Sequence, residues 1–152
     1  MRFIGNIEAK TDAKGRAFLP AVFRKVLSTG GSDVLMLRKD VHQPCLVLYP
    51  ESVWNEQLDL LNERLNRWNA SHRQVFRQFV SNVERITLDA NGRFLIPRRY
   101  LEMANIDQAI KFIGMDDTIE IWSNDGEDRS QMNPEEFSAK LEELMSDAPL
   151  SF

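Results

Sequence analysis

The sequence is poor in metal- and redox-active residues, with one cysteine and two histidines in 152 positions. A lone Cys45 excludes an intrachain disulfide and a multi-cysteine zinc site, and it fits a reducing compartment. It follows Pro44 and precedes an apolar run, so a buried structural thiol is expected rather than a nucleophile. His42 and His72 have no HxxxH or CxxC partner, so they read as surface or interface histidines and no metal site is expected. GxGxxG, the Walker lysine motif and GxSxG are all missing, so neither a cofactor nor an enzyme is expected. No apolar run reaches bilayer length, and the first residues lack the apolar stretch of a secretory signal. The expectation is a cytoplasmic protein without membrane contact. Seven Gly and six Pro are too few for a low-complexity chain. A basic excess is also lacking: 19 Lys/Arg against 23 Asp/Glu give a net charge of -4, which over the whole chain argues against a generic polyanion binder.

What the sequence does contain is an internal repeat. Asp12-Ala13-Lys14-Gly15-Arg16-Ala17-Phe18-Leu19-Pro20 returns as Asp89-Ala90-Asn91-Gly92-Arg93-Phe94-Leu95-Ile96-Pro97. Each copy follows a strand-like segment and precedes a short helical one. Each is then followed by two apolar runs, Val34 to Leu37 with Leu46 to Tyr49, and Ala109 to Ile113 with Ile119 to Trp122.

Local physics explains one unit. Phe3, Gly5, Ile7 and Ala9 alternate with Ile4, Asn6, Glu8 and Lys10, the pattern of a half-buried strand. Asp12 to Gly15 is turn chemistry, since Asp bonds its own backbone and Gly accepts positive φ. A hairpin loop is expected there and at Asp89 to Gly92. Pro20 and Pro97 end the following strands and open helices to about Leu27 and Ala104. Between the units, Trp54, Leu58, Leu61, Leu65 and Trp68 form an amphipathic seam. Val75, Phe76, Phe79 and Val80 form a second apolar face, so a helical hairpin packed mostly as core is expected. Asn133 and Pro134 begin a terminal helix to about Met145. The expected division is a first repeat at 3–52, a helical linker at 53–80, a second repeat at 81–124, and an acidic helix and tail at 125–152.

The repeated loops carry the candidate chemistry. Lys14 and Arg16 mark the first, and Asn91 and Arg93 the second. A two-stranded ribbon fits the major groove, where arginine pairs bidentately with guanine or a phosphate and lysine supplies a point charge. Asp12, Gly15, Asp89 and Gly92 shape the loops. The Asp–Arg spacing also suits a local ion pair that merely braces each loop, and both accounts can hold together.

These residues resemble the MraZ family of bacterial transcriptional regulators, built from two SpoVT/AbrB-type units. The resemblance rests on Asp12-x-Lys14-Gly15-Arg16-x3-Pro20, on Pro44 to Pro50 with Trp54, on Asp89-x-Asn91-Gly92-Arg93-x-Leu95-Ile96-Pro97 and on Ile119 to Trp122. It runs from Phe3 to about Trp122 and assigns no role beyond. It implies a swapped-hairpin double-repeat β-barrel of SpoVT/AbrB type; with the helical hairpin and C-terminal helix read from the residues, the expected fold is α+β with a mainly β core. It also implies a homo-oligomeric ring, bound to short direct repeats in double-stranded promoter DNA of the division and cell wall gene cluster. Such a protein would be associated with the nucleoid. Carried over by position, Lys14, Arg16, Asn91 and Arg93 are the DNA-binding residues. The second loop has asparagine in place of lysine, which points it toward phosphate contact. A ring-forming interaction protein with purely structural hairpins is the competing expectation.

Charge by position sharpens this. Residues 1–30 carry six Lys/Arg against two Asp/Glu, and residues 105–152 carry three against twelve. The hairpin-bearing end is basic, and the acidity sits in the last third. That third is expected to face away from DNA or to screen non-specific binding.

Overall fold

Strand, turn, strand and helix follow one another twice, as the repeat predicts. A computed structural model describes residues 2–146. In chain order the elements are β1 (Phe3–Lys10), β2 (Arg16–Phe18), α1 (Ala21–Thr29), β3 (Val34–Lys39) and β4 (Leu46–Pro50), then α2 (Glu51–Arg64) and α3 (Ala70–Ser81). The second repeat supplies β5 (Glu84–Thr87), β6 (Arg93–Leu95), α4 (Arg98–Met103), β7 (Ala109–Asp116) and β8 (Thr118–Ser123), and α5 (Pro134–Leu144) follows. In β1 the side chains of Phe3, Ile7 and Ala9 turn inward while Ile4, Asn6, Glu8 and Lys10 are exposed, a period of two. Pro20 ends β2, and its carbonyl accepts the Arg24 N–H at 3.0 Å to start α1. Pro97 does the same for α4, accepting from Tyr100 at 2.9 Å.

The architecture is α+β with antiparallel pairing throughout the ladders. Six strands form one sheet in the order β1-β7-β8-β4-β3-β5, and β2 pairs with β6 in a second, two-stranded sheet. The repeats exchange strands: β1 pairs with β7 of the second repeat, and β5 pairs with β3 of the first. Swapping the repeats maps each of these ladders onto the other. Two expectations change here. The strands flanking each turn are not a hairpin ladder, since one backbone bond joins each pair: Asp12 N–H to the Arg16 carbonyl and Asp89 N–H to the Arg93 carbonyl. The barrel is not closed either. β1 and β5 end the six-stranded sheet, and the short β2·β6 ladder lies across the open side. Pro20 and Pro97 stand just beyond β2 and β6 and have no N–H with which to extend either ladder.

The core lies between the two sheets and the short helices. Phe3, Leu19, Phe23, Leu35, Leu48, Ile96, Tyr100, Ile110, Phe112 and Ile119 are all buried. Phe3 meets Phe23 edge-on at 5.8 Å between ring centroids, and Phe94 meets Phe112 at 6.3 Å. Fully burying one such side chain contributes about 1.5–3 kcal/mol. Both repeats supply these residues, so neither encloses a core of its own.

The helical insertion departs from its expected packing. Trp54 is buried and stacks on Phe79 at 5.1 Å, and Arg38 lies over the same Phe79 ring at 4.4 Å. Past Trp54 no side chain of α2 or α3 is buried. α2 also stops at Arg64, where the chain turns extended at Leu65. The seam therefore ends early, and Trp68 is 97% exposed. Asn69 caps α3, its side chain accepting the Ser71 and His72 N–H groups. α5 begins as expected, with the Asn133 side chain accepting the Glu136 N–H at 2.9 Å. The end of the acidic tail, 147–152, lies outside the described residues.

Candidate nucleic-acid interface

Each turn is organised by one carboxylate. Asp12 Oδ1 accepts the backbone N–H groups of Lys14 and Arg16, both at 2.9 Å, and Oδ2 accepts Arg16 Nε at 2.8 Å. Asp89 repeats this, accepting from Asn91 N at 2.8 Å, Arg93 N at 2.9 Å and Arg93 Nε at 3.0 Å. These donors hold both carboxyls below the ordinary carboxylate value, the Arg16 and Arg93 backbone N–H groups contributing most. Gly15 and Gly92 close the turns at φ of +86° and +81°, where a side chain is strained.

The strand exchange then brings the turns together. The Gly15 carbonyl accepts the Ile96 N–H, and the Gly92 carbonyl accepts the Leu19 N–H, both at 2.9 Å. Along the β2·β6 ladder Arg16 stands opposite Leu95, Ala17 opposite Phe94, and Phe18 opposite Arg93. Ala17 and Phe94 point into the core. By the strand period, Arg16, Phe18, Arg93 and Leu95 share the outward face. Phe18 and Leu95 are 57% and 51% exposed, and the Arg93 guanidinium lies 5.9 Å from the Phe18 ring. Each arginine spends only its Nε on the aspartate. Among the described residues, the Nη groups of Arg16 and Arg93 and the Nζ of Lys14 make no hydrogen bond. The aspartates thus orient two guanidinium groups and leave their donor forks outward. The Asn91 side chain, in the exposed second turn, likewise has no protein partner among the described residues.

Three residues at or beside this face were not singled out as site residues by the sequence reading. Phe18 and Leu95 are taken there as ordinary strand residues, because composition does not say which side of β2 and β6 is covered. Arg24 on α1 is the third. Its Nη1 donates to the Asn91 carbonyl at 3.1 Å, and its guanidinium packs against Gly92. The available signal is positional: Arg24 stands four residues after Pro20, as Leu101 stands four after Pro97. Leu101 in turn packs against Gly15.

The remaining candidates lie elsewhere. Cys45 is buried, and burial, with Glu120 and Asp40 adding repulsion, pushes its thiol up to about 12. That fits a structural thiol. His72 Nδ1 accepts the Asn66 N–H at 2.9 Å and so ties the α2–α3 turn. Lys111 is buried against Asp128, whose carboxyl is lowered to about 2, chiefly by that contact.

Comparison with known proteins decides the family. A model described as "MraZ protein, putative antitoxin-like" matches the chain twice, over residues 3–78 and 79–147. The chain belongs to the MraZ family. A protein of Phocaeicola vulgatus named transcriptional regulator MraZ is 63% identical over 145 residues, 95% of this chain and 94% of the relative. A Bacteroides fragilis protein of the same name is 58% identical over 97% of this chain and 93% of the relative. One from Pseudomonas savastanoi is 32% identical over 81% of each. The MraZ match continues to residue 147, past the Trp122 limit of the sequence resemblance. The acidic C-terminal segment is therefore part of the MraZ pattern. Among the described residues, no helix of this MraZ chain is long and apolar enough to cross a membrane.

Proposed function

We propose that this chain is a transcriptional regulator that binds double-stranded promoter DNA through the β2·β6 face. Arg16 and Lys14 read or clamp the DNA from the first turn, and Arg93 and Asn91 contact it from the second, mainly at phosphate. Asp12, Asp89, Gly15 and Gly92 hold the turns in shape. One observation carries the reading: the exchanged ribbon sets two aspartate-oriented arginines, with free Nη donors, on one exposed face. Such forks match the paired acceptors of guanine and of phosphate. The relatives' name, transcriptional regulator MraZ, supports the same class.

A single face offers few contacts, and affinity built on phosphate falls as salt rises. We therefore extend the reading to a homo-oligomeric ring engaging short direct repeats, since linked sites raise effective concentration. The target is the promoter of the division and cell wall gene cluster, and the protein works in the cytoplasm on the nucleoid. Repeats at 3–52 and 81–124, joined by the 53–80 insertion and followed by 125–152, are its working parts. The test is binding of wild type and Arg16→Ala to direct-repeat promoter DNA over a salt series. The expected result is weaker binding by the variant. Equal binding would make the ribbon a purely structural device.

A further inference from the structure

Among the described residues, two apolar helix faces are left uncovered, and they carry opposite charge. The first is the groove between the end of α2 and α3, about 460 Å³ in volume. Leu65, Phe76 and Val80 supply its apolar lining, and Arg67, Arg73 and Arg77 its cationic rim. From residue 64 to residue 83 there are four arginines and no Asp or Glu. The second face is on α5. Phe137, Leu141 and Leu144 recur at helical spacing, and no α5 side chain is buried. Phe137 is 56% exposed and Leu144 80%. Glu135 and Glu142 flank this stripe on one side, Glu136 and Glu143 on the other.

We propose that α5 of one copy docks in the α2/α3 groove of a second copy. An amphipathic helix laid in an apolar groove is a common recognition mode, and here charge fixes the pairing. The topology argues for a second copy rather than the same chain. β4 and β8 are antiparallel, with Leu46 beside Ile121 and Leu48 beside Ile119. Pro50, where α2 departs, and Ser123, where the path to α5 departs, therefore stand at opposite ends of that ladder. The connecting segment is also tied down. Asn124 N–H donates to the Ala109 carbonyl at 2.8 Å, and Asp128 pairs with Lys111. Only a few residues past Ser130 remain to reposition α5. The contact is heterologous, groove on one copy and helix on the next, and such contacts propagate into a ring when the rotation closes. This inference rests on the self-assembly in the proposed function and names the surface that performs it.

The experiment compares full-length wild type with Phe137→Glu/Leu141→Glu by light scattering across a concentration series. Wild type is expected to assemble. The variant, which disturbs no buried side chain, is expected to keep its circular dichroism while its assembly midpoint rises about thirtyfold, the loss typical of a central anchor. Arg73→Glu/Arg77→Glu is expected to dissociate likewise, and adding Glu142→Lys/Glu143→Lys to restore assembly. A second measurement mixes chains carrying Phe137→Cys with chains carrying Phe76→Cys under oxidising conditions. A disulfide between the two chains is the expected product. Wild type that stays monomeric would overturn both the assembly reading and the docking. Wild type that assembles alongside an equally assembled Phe137→Glu/Leu141→Glu variant would overturn the docking alone. So would a double variant, Phe76→Cys/Phe137→Cys, whose disulfide forms only within one chain.

Discussion

The first and second turns have the same backbone and different floors. Both are closed by an aspartate that accepts two backbone N–H groups and an arginine Nε, and both end in a glycine at positive φ. Beneath Gly15 lie the Ile96 carbonyl and Leu101, whereas Gly92 lies against the end of the Arg24 side chain. One pair of equivalent positions on the helix of the opposite repeat, Arg24 and Leu101, makes the difference visible. A duplicated motif can thus keep its geometry while its surroundings diverge, because the side-chain-to-backbone bonds that define it are local. Divergence then changes what each turn presents: a lysine over an apolar floor in one, an asparagine over a cationic floor in the other.

The glycines give the largest contrast. A Cβ on Gly15 would stand 2.8 Å from the Ile96 carbonyl oxygen, a backbone atom of the residue whose N–H makes the cross-repeat bond. Gly15→Ala is expected to destabilise the chain by about 2–4 kcal/mol, combining the left-handed backbone penalty with overpacking. Gly92→Ala is expected to cost about 1–2 kcal/mol, since the Arg24 side chain can swing away. Urea denaturation measures both, and equal losses would erase the proposed difference in floors.

DNA affinity is the next contrast. Arg16→Ala is expected to weaken promoter binding by about 1–3 kcal/mol, the range for one bidentate contact. Arg93→Ala is expected to fall below that, because its guanidinium already leans on Phe18 and its turn lacks lysine. Lys14→Ala should lower the slope of log affinity against log salt by about one, without altering sequence preference. A larger effect at Arg93 than at Arg16 would reverse the ranking of the turns.

Acid should then remove the difference, because the braces are alike. Both aspartates titrate below their ordinary value of 3.8 in the folded chain. Their contribution is full above that value and is lost as pH falls through the lowered folded value. Amide resonances of Gly15 and Gly92 are expected to shift together in that window. If one moved well before the other, the carboxylates would not be equivalent.

Local features were the legible ones. Asp, Gly and Pro at fixed offsets specify turn, positive φ and helix start through bonds within a few residues, so the turns and the helix starts after Pro20, Pro97 and Asn133 were readable. Strand partners were not. Alternation tells which face of β1 is buried and is silent on whether β2 or β7 lies beside it, so the residues alone read as a hairpin and only the family resemblance implied a swap. The apolar stripe of α2 and α3 had the spacing of core, yet spacing cannot show that the body covers only Trp54 and its neighbours. Arg24 reaches Gly92 only because the repeats interleave, a contact between residues far apart in the chain. The outward face of β2·β6 was therefore half visible: its arginines by motif, its Phe18 and Leu95 only by structure.

The strand exchange also has a consequence in time. β1 leaves the ribosome well before its partner β7, with β2 to β6 made between them. At about 5–20 residues per second, the nascent chain carries β1 with an unmet edge for several seconds. Folding is therefore expected to be largely post-translational and, with such distant pairings, slow for a chain of this size. Until Asp116 has emerged, the first repeat is a half-sheet in search of an edge, and a neighbouring nascent chain on the same messenger offers one.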